Sequence, residues 1–324
     1  MKRLGQILTL AAMLALAAAF PTVVCAQVTC GQVVTSDLTL LPPQLGPPLV
    51  ECENSDGLKV GADGITIDLG VWEIRCVGAN SVPHCQGSGL IGIDTQGHSN
   101  VTIKNGIVGR FDVGIHVNGG GNVTVWDVLV TGPAWSEGGG YSSRASSATG
   151  ILVGNVSCRD GALIDGNTVD NHLIGIKLVS SRCVKVQHNI VTQNDGPTEA
   201  HGILVMDSSR NTLTANTVSN NGANYAGSSG ITLAGTSSEN RLTRNILRNN
   251  CGDGISARDT ASLNNISNNS ARGNPPGGLG DCSVSGGPFY DLADRTNSSN
   301  NWSKTNACET ENERIPANVC NLGE

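Results

Sequence analysis

A Gly-Ile pair, followed by one variable residue and then usually an apolar one, recurs eight times between Gly64 and Ala257. The copies are Gly64-Ile65-Thr66-Ile67, Gly92-Ile93-Asp94-Thr95, Gly114-Ile115-His116-Val117, Gly150-Ile151-Leu152-Val153, Gly175-Ile176-Lys177-Leu178, Gly202-Ile203-Leu204-Val205, Gly230-Ile231-Thr232-Leu233 and Gly254-Ile255-Ser256-Ala257. The glycines are separated by 28, 22, 36, 25, 27, 28 and 24 residues. Periods of this size mark a solenoid of stacked units rather than a compact sheet. A second pattern runs out of phase with the first: Asn167-Thr168-Val169 with Asn171, Asn189-Ile190-Val191 with Asn194, Asn216-Thr217-Val218 with Asn220, and Asn245-Ile246-Leu247 with Asn249. Each repeat therefore holds at least two short strands separated by Asn/Gly turns.

The apolar runs are too short for helices and alternate with period two. Val, Ile and Thr fill them, while Asn, Gly and Asp fill the gaps. Helical repeats would need Leu, Ala, Glu and Lys at a period of 3.6, and that pattern is absent. A single chain coiling through short strands stacks like on like at about 4.8 Å per turn. Asparagines at equivalent turns are then expected to form ladders of side-chain amide bonds. The fold class expected is all-β, a single-stranded parallel β-helix. Open solenoid ends expose strand edges and need covering. The expected organisation is a signal peptide over 1–26, an N-terminal cap over 27–57, β-helix repeats over 58–282 and a C-terminal cap or tail over 283–324.

The leader reading rests on Lys2 and Arg3, the apolar stretch Ile7–Phe20 and the Val24-Cys25-Ala26 site. A lipoprotein reading would put the lipid on Cys25. Removing the leader leaves 18 basic against 27 acidic residues, a charge of −9. That balance, without a basic run, argues against nucleic acid as a partner. It also disfavours a polyanionic glycan unless a cation bridges the two. Beyond the leader no stretch has the length and apolarity of a membrane span. Ten cysteines follow Cys25, an even number that reads as disulfides in a secreted or periplasmic chain. The simplest pairing joins sequence neighbours. Cys158 and Cys183 lie 25 residues apart, one turn of the coil, which brings them within bonding range.

The Gly-Ile strands and Asn-x-Val turns, with the entry segment Val60-Gly61-Ala62-Asp63-Gly64-Ile65-Thr66-Ile67-Asp68-Leu69, resemble the pectin-lyase-like right-handed parallel β-helix proteins. More narrowly they resemble the carbohydrate-binding and sugar-hydrolysis repeat class, over roughly Gly57 to Cys282. The resemblance implies a right-handed coil and an extracellular glycan connection; the disulfide-bearing end caps are read from the Pro-rich segment bracketed by Cys30 and Cys52 and from the repeat-free tail with Cys308 and Cys320. Activities in that family include polysaccharide lyases, polygalacturonases and alginate epimerases. Its catalytic signatures are not matched: Ala200-His201-Gly202 stands where a polygalacturonase carries Gly-His-Gly, and a Tyr-Gly-x-Asp-Pro-His motif is absent. Fold alone does not assign a reaction.

If each isoleucine of a Gly-Ile pair points inward, the next residue points outward. Stacking then gives an outward row of Thr66, Asp94, His116, Leu152, Lys177, Leu204, Thr232 and Ser256. A second row, two positions on, runs through Asp68, Gln96, Asn118, Gly154, Val179, Met206, Ala234 and Arg258. Asp94 and His116 would stand one turn apart, close enough to form half of an acid/base pair. Asp68 would lie about 8 Å from Asp94, within the span of inverting glycosidases. His201 is a third catalytic candidate, beside the insertion that precedes it. The alternative reading is a solvated face with incidental ion pairs. Trp135 and Tyr141, in the long insertion, offer sugar-stacking rings, and Lys177 a cationic contact. No histidine or cysteine has metal-ligand spacing; calcium is the one cation the Asp/Asn turns could take.

The function expected is a monomeric exported protein that binds or processes polysaccharide or cell-surface glycan on its outward sheet. If it is an enzyme, the resemblance implies a polysaccharide lyase or glycoside hydrolase. The alternative is a non-enzymatic structural or surface-interaction solenoid.

Overall fold

A computed structural model describes residues 28–42, 48–79, 85, 89–132, 148–159, 161–196, 200–222, 228–274 and 288–320. Residues 1–27, Trp135, Tyr141 and Cys282 lie outside the described residues. Among the described residues there is no α-helix. Three parallel sheets of ten strands each form the molecule, and every coil contributes one strand to each sheet. Sheet A runs from Gln32–Val34 to Leu292–Asp294, sheet B from Leu38–Thr39 to Asn301–Trp302, and sheet C from Leu49–Glu53 to Ala307–Cys308. The chain is a parallel β-helix. Both end segments carry strands of the coil, so pairing extends beyond the 58–282 span in each direction.

The isoleucines stack as the alternation requires. Ile93, Ile115, Ile151, Ile176, Ile203, Ile231 and Ile255 pair in successive register, each 0% exposed. The insertion after Thr131 leaves this register intact, because Ile115 still pairs with Ile151. One copy does not belong. Thr66–Asp68 is a sheet B strand, with Ile67 opposite Ile103, and the column is completed by Leu58 opposite Ile93. The reason lies in two glycines. An added Cβ on Gly57 would meet the Gly92 carbonyl oxygen at 2.1 Å, whereas one on Gly64 (φ +73) would meet open space. Gly57 is the tightly packed corner and Gly64 an ordinary left-handed turn residue.

Three asparagine ladders run up the three corners. Asn167, Asn189, Asn216, Asn245, Asn269 and Asn306 hand Nδ2 to the next Oδ1 at 2.9–3.1 Å. Asn211, Asn240, Asn264 and Asn300 form the second, and Asn194, Asn221, Asn250 and Asn274 the third, which ends on Asp291. Each rung also accepts a backbone amide from the coil below, as Asn216 does from Asn189. The buried corners thus satisfy both side chain and main chain. Disulfides join Cys30–Cys52 and Cys308–Cys320 at the two ends, and Cys76–Cys85 and Cys158–Cys183 between them, the last with a Cα–Cα distance of 4.9 Å. Cys251 is also disulfide-bonded.

Candidate functional site

The outward surface of sheet A is set by a break in strict alternation. An added Cβ on Gly202 would lie 2.3 Å from Val218 Cγ1 and 2.7 Å from the Gly230 carbonyl oxygen. Gly202 and Ile203 therefore both face the interior, and His201 and Leu204 flank them on the outside. Ile174, His201 and Ser229 consequently share an outward row, and Leu152, Lys177, Leu204 and Thr232 share the next.

This surface is not a solvated face. Ile174, Leu204 and Ala234 are buried in a small apolar cluster outside the main core, together with Leu173, Ala148 and Ala200. His201 is 2% exposed, Thr232 0% and Ser256 2%. Lys177 and Arg258 are half-buried.

The polar groups converge on His201. Arg258 Nη2 lies 3.1 Å from its Nε2, and Thr232 Oγ1 lies 3.2 Å from its Nδ1, with the Ser229 amide 3.3 Å from the same nitrogen. A guanidinium only donates, so Nε2 must present its lone pair. The Ser229 amide likewise only donates, so the ring meets a donor at each nitrogen, with the Thr232 hydroxyl beside Nδ1 able to play either role. Burial pushes the His201 pKa down to about 3, and the charges of Arg258 and, less strongly, Lys177 add to the shift against the Ser229 amide. His201 is a neutral imidazole at physiological pH, its basicity weakened by burial and by the Arg258 guanidinium at Nε2.

Asp94 and His116 form a separate pair. They are in register on adjacent coils, with Nδ1 3.5 Å from Oδ1, beyond a good hydrogen bond. The Gln96 amide donates to Asp94 Oδ1 at 3.0 Å, and the Gln96 side chain to Oδ2. Burial raises the Asp94 pKa, but His116 and Gln96 outweigh it and hold the carboxyl below its usual value. The register puts His201 three coils beyond His116, about 14 Å along the axis. Asp68 does not join this pair. It faces out from sheet B, where Lys104 Nζ lies 3.0 Å from its Oδ2, so an Asp68/Asp94 carboxylate pair does not form.

Three sequence candidates, His201, Asp94 and His116, are thus on one face, as is Lys177, but in two clusters. Arg258 was the functional group not singled out. Its signal was a cation at the end of a row whose three preceding members are Val179, Met206 and Ala234. Among the described residues one group has metal-ligand proximity, Cys308, Glu311 and Cys320, and its two sulfurs are joined as a disulfide.

Residues 141–301 match the family model described as right handed beta helix region. No curated protein sequence matches the chain. Among solved structures, the Dettilon tailspike protein superposes with a TM-score of 0.52 at 15% identity, covering 81% of this chain and 57% of that one. A variant of the periplasmic alginate epimerase superposes with a TM-score of 0.52 at 13% identity, covering 85% of this chain and 63% of that one. The chain spans less than two thirds of either protein, and at these identities the likeness is one of fold.

Proposed function

We propose that this right-handed β-helix protein is exported and acts on polysaccharide at the outward face of sheet A, with an acidic sugar seated at Lys177, His201 and Arg258. The observation that carries this reading is the buried imidazole of His201 with the half-buried Arg258 guanidinium 3.1 Å from its Nε2. A uronate carboxylate would draw the Arg258 guanidinium into a charge-assisted pair and release the Nε2 lone pair. Pairing the cations with the carboxylate also relieves the charge that weakens His201, and that nitrogen could then take the proton α to the carboxylate, the step shared by polysaccharide lyases and uronate epimerases. Local cations also answer the acidic balance of the whole chain, because charges at a half-buried site outweigh a distant screened surface. Asp94 and His116 would contact a sugar further along the same chain. The two neighbours named above are a tailspike and an alginate epimerase, and the disulfides fit an extracellular or periplasmic setting.

The test is a screen of alginate, polygalacturonate and neutral plant and microbial glycans, with and without calcium, following binding and the unsaturated or epimerised product. Wild type should bind a polyuronate, and His201→Ala should abolish turnover while retaining binding. Neither binding nor product on any polymer would sink the proposal. A second reading, a non-catalytic glycan-binding solenoid, draws support from the Arg258 contact that already occupies Nε2. Binding without turnover in wild type would select it.

A further inference from the structure

The geometry points to a second glycan site on sheet B, built on Trp126, that takes the pyranose ring of a neutral sugar. It stands apart from the sheet A surface and does not rest on the reading given for that surface.

Trp126 is the one aromatic among the exposed large apolar side chains of the described residues, at 47% exposure. The other described tryptophans are used internally: Trp72 Nε1 donates to the Leu41 carbonyl at 2.7 Å, and Trp302 Nε1 to Asp294 Oδ2 at 2.8 Å. The Trp126 indole N–H makes no hydrogen bond to a described residue. The ring leans along the sheet toward the next coil, where an added Cβ on Gly166 would lie 3.6 Å from its Cδ1 and 3.7 Å from its Nε1. Glycine at that turn leaves the pyrrole edge uncovered. The result is a flat apolar surface with a free donor at its rim, the combination a sugar ring stacks upon.

Its surroundings are polar and ordered. In register on one side is Lys104, whose Nζ lies 3.0 Å from Asp68 Oδ2, and Asn105 Nδ2 donates to Asp68 Oδ1 at 2.7 Å. On the other side is Asp165, which accepts from Gln187 Nε2 at 3.0 Å and lies 2.9 Å from His188 Nδ1. Thr102 and Thr124 stack beside this row, also facing out and half-buried. A protein interface would surround such a ring with further apolar side chains. Here the ring is flanked by held hydroxyl, amide and ionic groups, the partners of sugar hydroxyls. The carboxylates of Asp68, Asp127 and Asp165 oppose an acidic sugar, so the ligand class is neutral.

The experiment uses the secreted chain labelled with 5-fluorotryptophan, with the Trp126 fluorine signal assigned by Trp126→Phe. Hexaoses of β-1,4-glucan, β-1,4-mannan, α-1,4-glucan and β-1,4-linked N-acetylglucosamine are titrated in turn. At least one should shift the Trp126 signal, and Trp126→Ala should weaken its binding about tenfold or more. His201→Ala should leave that binding unchanged, which separates the two faces. An unmoved Trp126 signal with all four hexaoses would overturn the inference. So would equal affinity in Trp126→Ala, or a shift produced by a polyuronate alone. Because the readout is a wild-type signal, the result stands even if the alanine variant folds poorly.

Discussion

Arg258 Nη2 lies 3.1 Å from His201 Nε2, across 57 residues and two coils of the solenoid. The contact joins His201, a buried histidine of the outward sheet A rows, to a side chain that follows the strand Ile255–Ala257 two coils on and belongs to another row. It helps hold the ring neutral.

Removing that cation should therefore make His201 easier to protonate. In Arg258→Met the imidazole titration midpoint should rise by about one pH unit from its value near 3, read from the ring proton shifts. Lys177→Met should raise it less, in keeping with its smaller influence. An unchanged midpoint in Arg258→Met would show that burial alone sets the value.

Acid should weaken the fold through a second histidine. His172 stands where Asn194, Asn221, Asn250 and Asn274 stand in later coils, and its backbone amide donates to Asn194 Oδ1. Its ring nitrogens are buried without a well-formed hydrogen bond. Burial pushes its pKa down from 6.5 to about 4, partly offset by the Asp170 backbone. A histidine depressed in the folded state binds its proton more readily when unfolded. Stability is then intact above pH 6.5 and falls as pH drops toward 4. The loss from this group is roughly 3 kcal/mol at pH 4. His172→Asn should remove that part of the pH dependence and add a rung to the ladder. Urea unfolding at pH 7 and pH 4.5 measures both effects.

The corner glycines should be far less replaceable than the turn glycine that resembles them. Gly202→Ala forces a Cβ to 2.3 Å from Val218 Cγ1 and 2.7 Å from the Gly230 carbonyl. It should cost about 3 kcal/mol or more, as overpacking against backbone does. Gly64→Ala meets no atom and bears only the left-handed backbone penalty, about 1–2 kcal/mol. Equal losses in thermal unfolding would contradict the assignment of Gly57, and not Gly64, to the corner.

The ladders should fail as units. Asn216 accepts from the amide and side chain of Asn189, and donates to the Val186 carbonyl and to Asn245 Oδ1. Asn216→Ala leaves several buried groups without partners and should cost about 3 kcal/mol or more. Asn216→Asp should also destabilise, since a buried carboxylate cannot supply the two donated bonds. Hydrogen exchange should then quicken in the coils on both sides of position 216 rather than at one strand.

Interior order was determined by the sequence itself. Ile93 through Ile255 stack in one column because period-two alternation and a recurring Gly-Ile pair are local properties, repeated once per turn. The ladders follow from asparagines spaced by whole coils, and the Cys158–Cys183 bond from a spacing of one coil. Tertiary structure decided what no local pattern contains. Gly64-Ile65 and Gly57-Leu58 differ in role only through what lies against each glycine in the neighbouring coil, and that choice moved Asp68 to another sheet. Whether His201 faces out depended on Gly202 and Ile203 both turning inward at a crowded corner. That Arg258 reaches it depended on the length of one side chain laid across two coils. Periodicity specifies which residues share a row; the distance between rows, and what a long side chain spans, exists only once the coils are stacked.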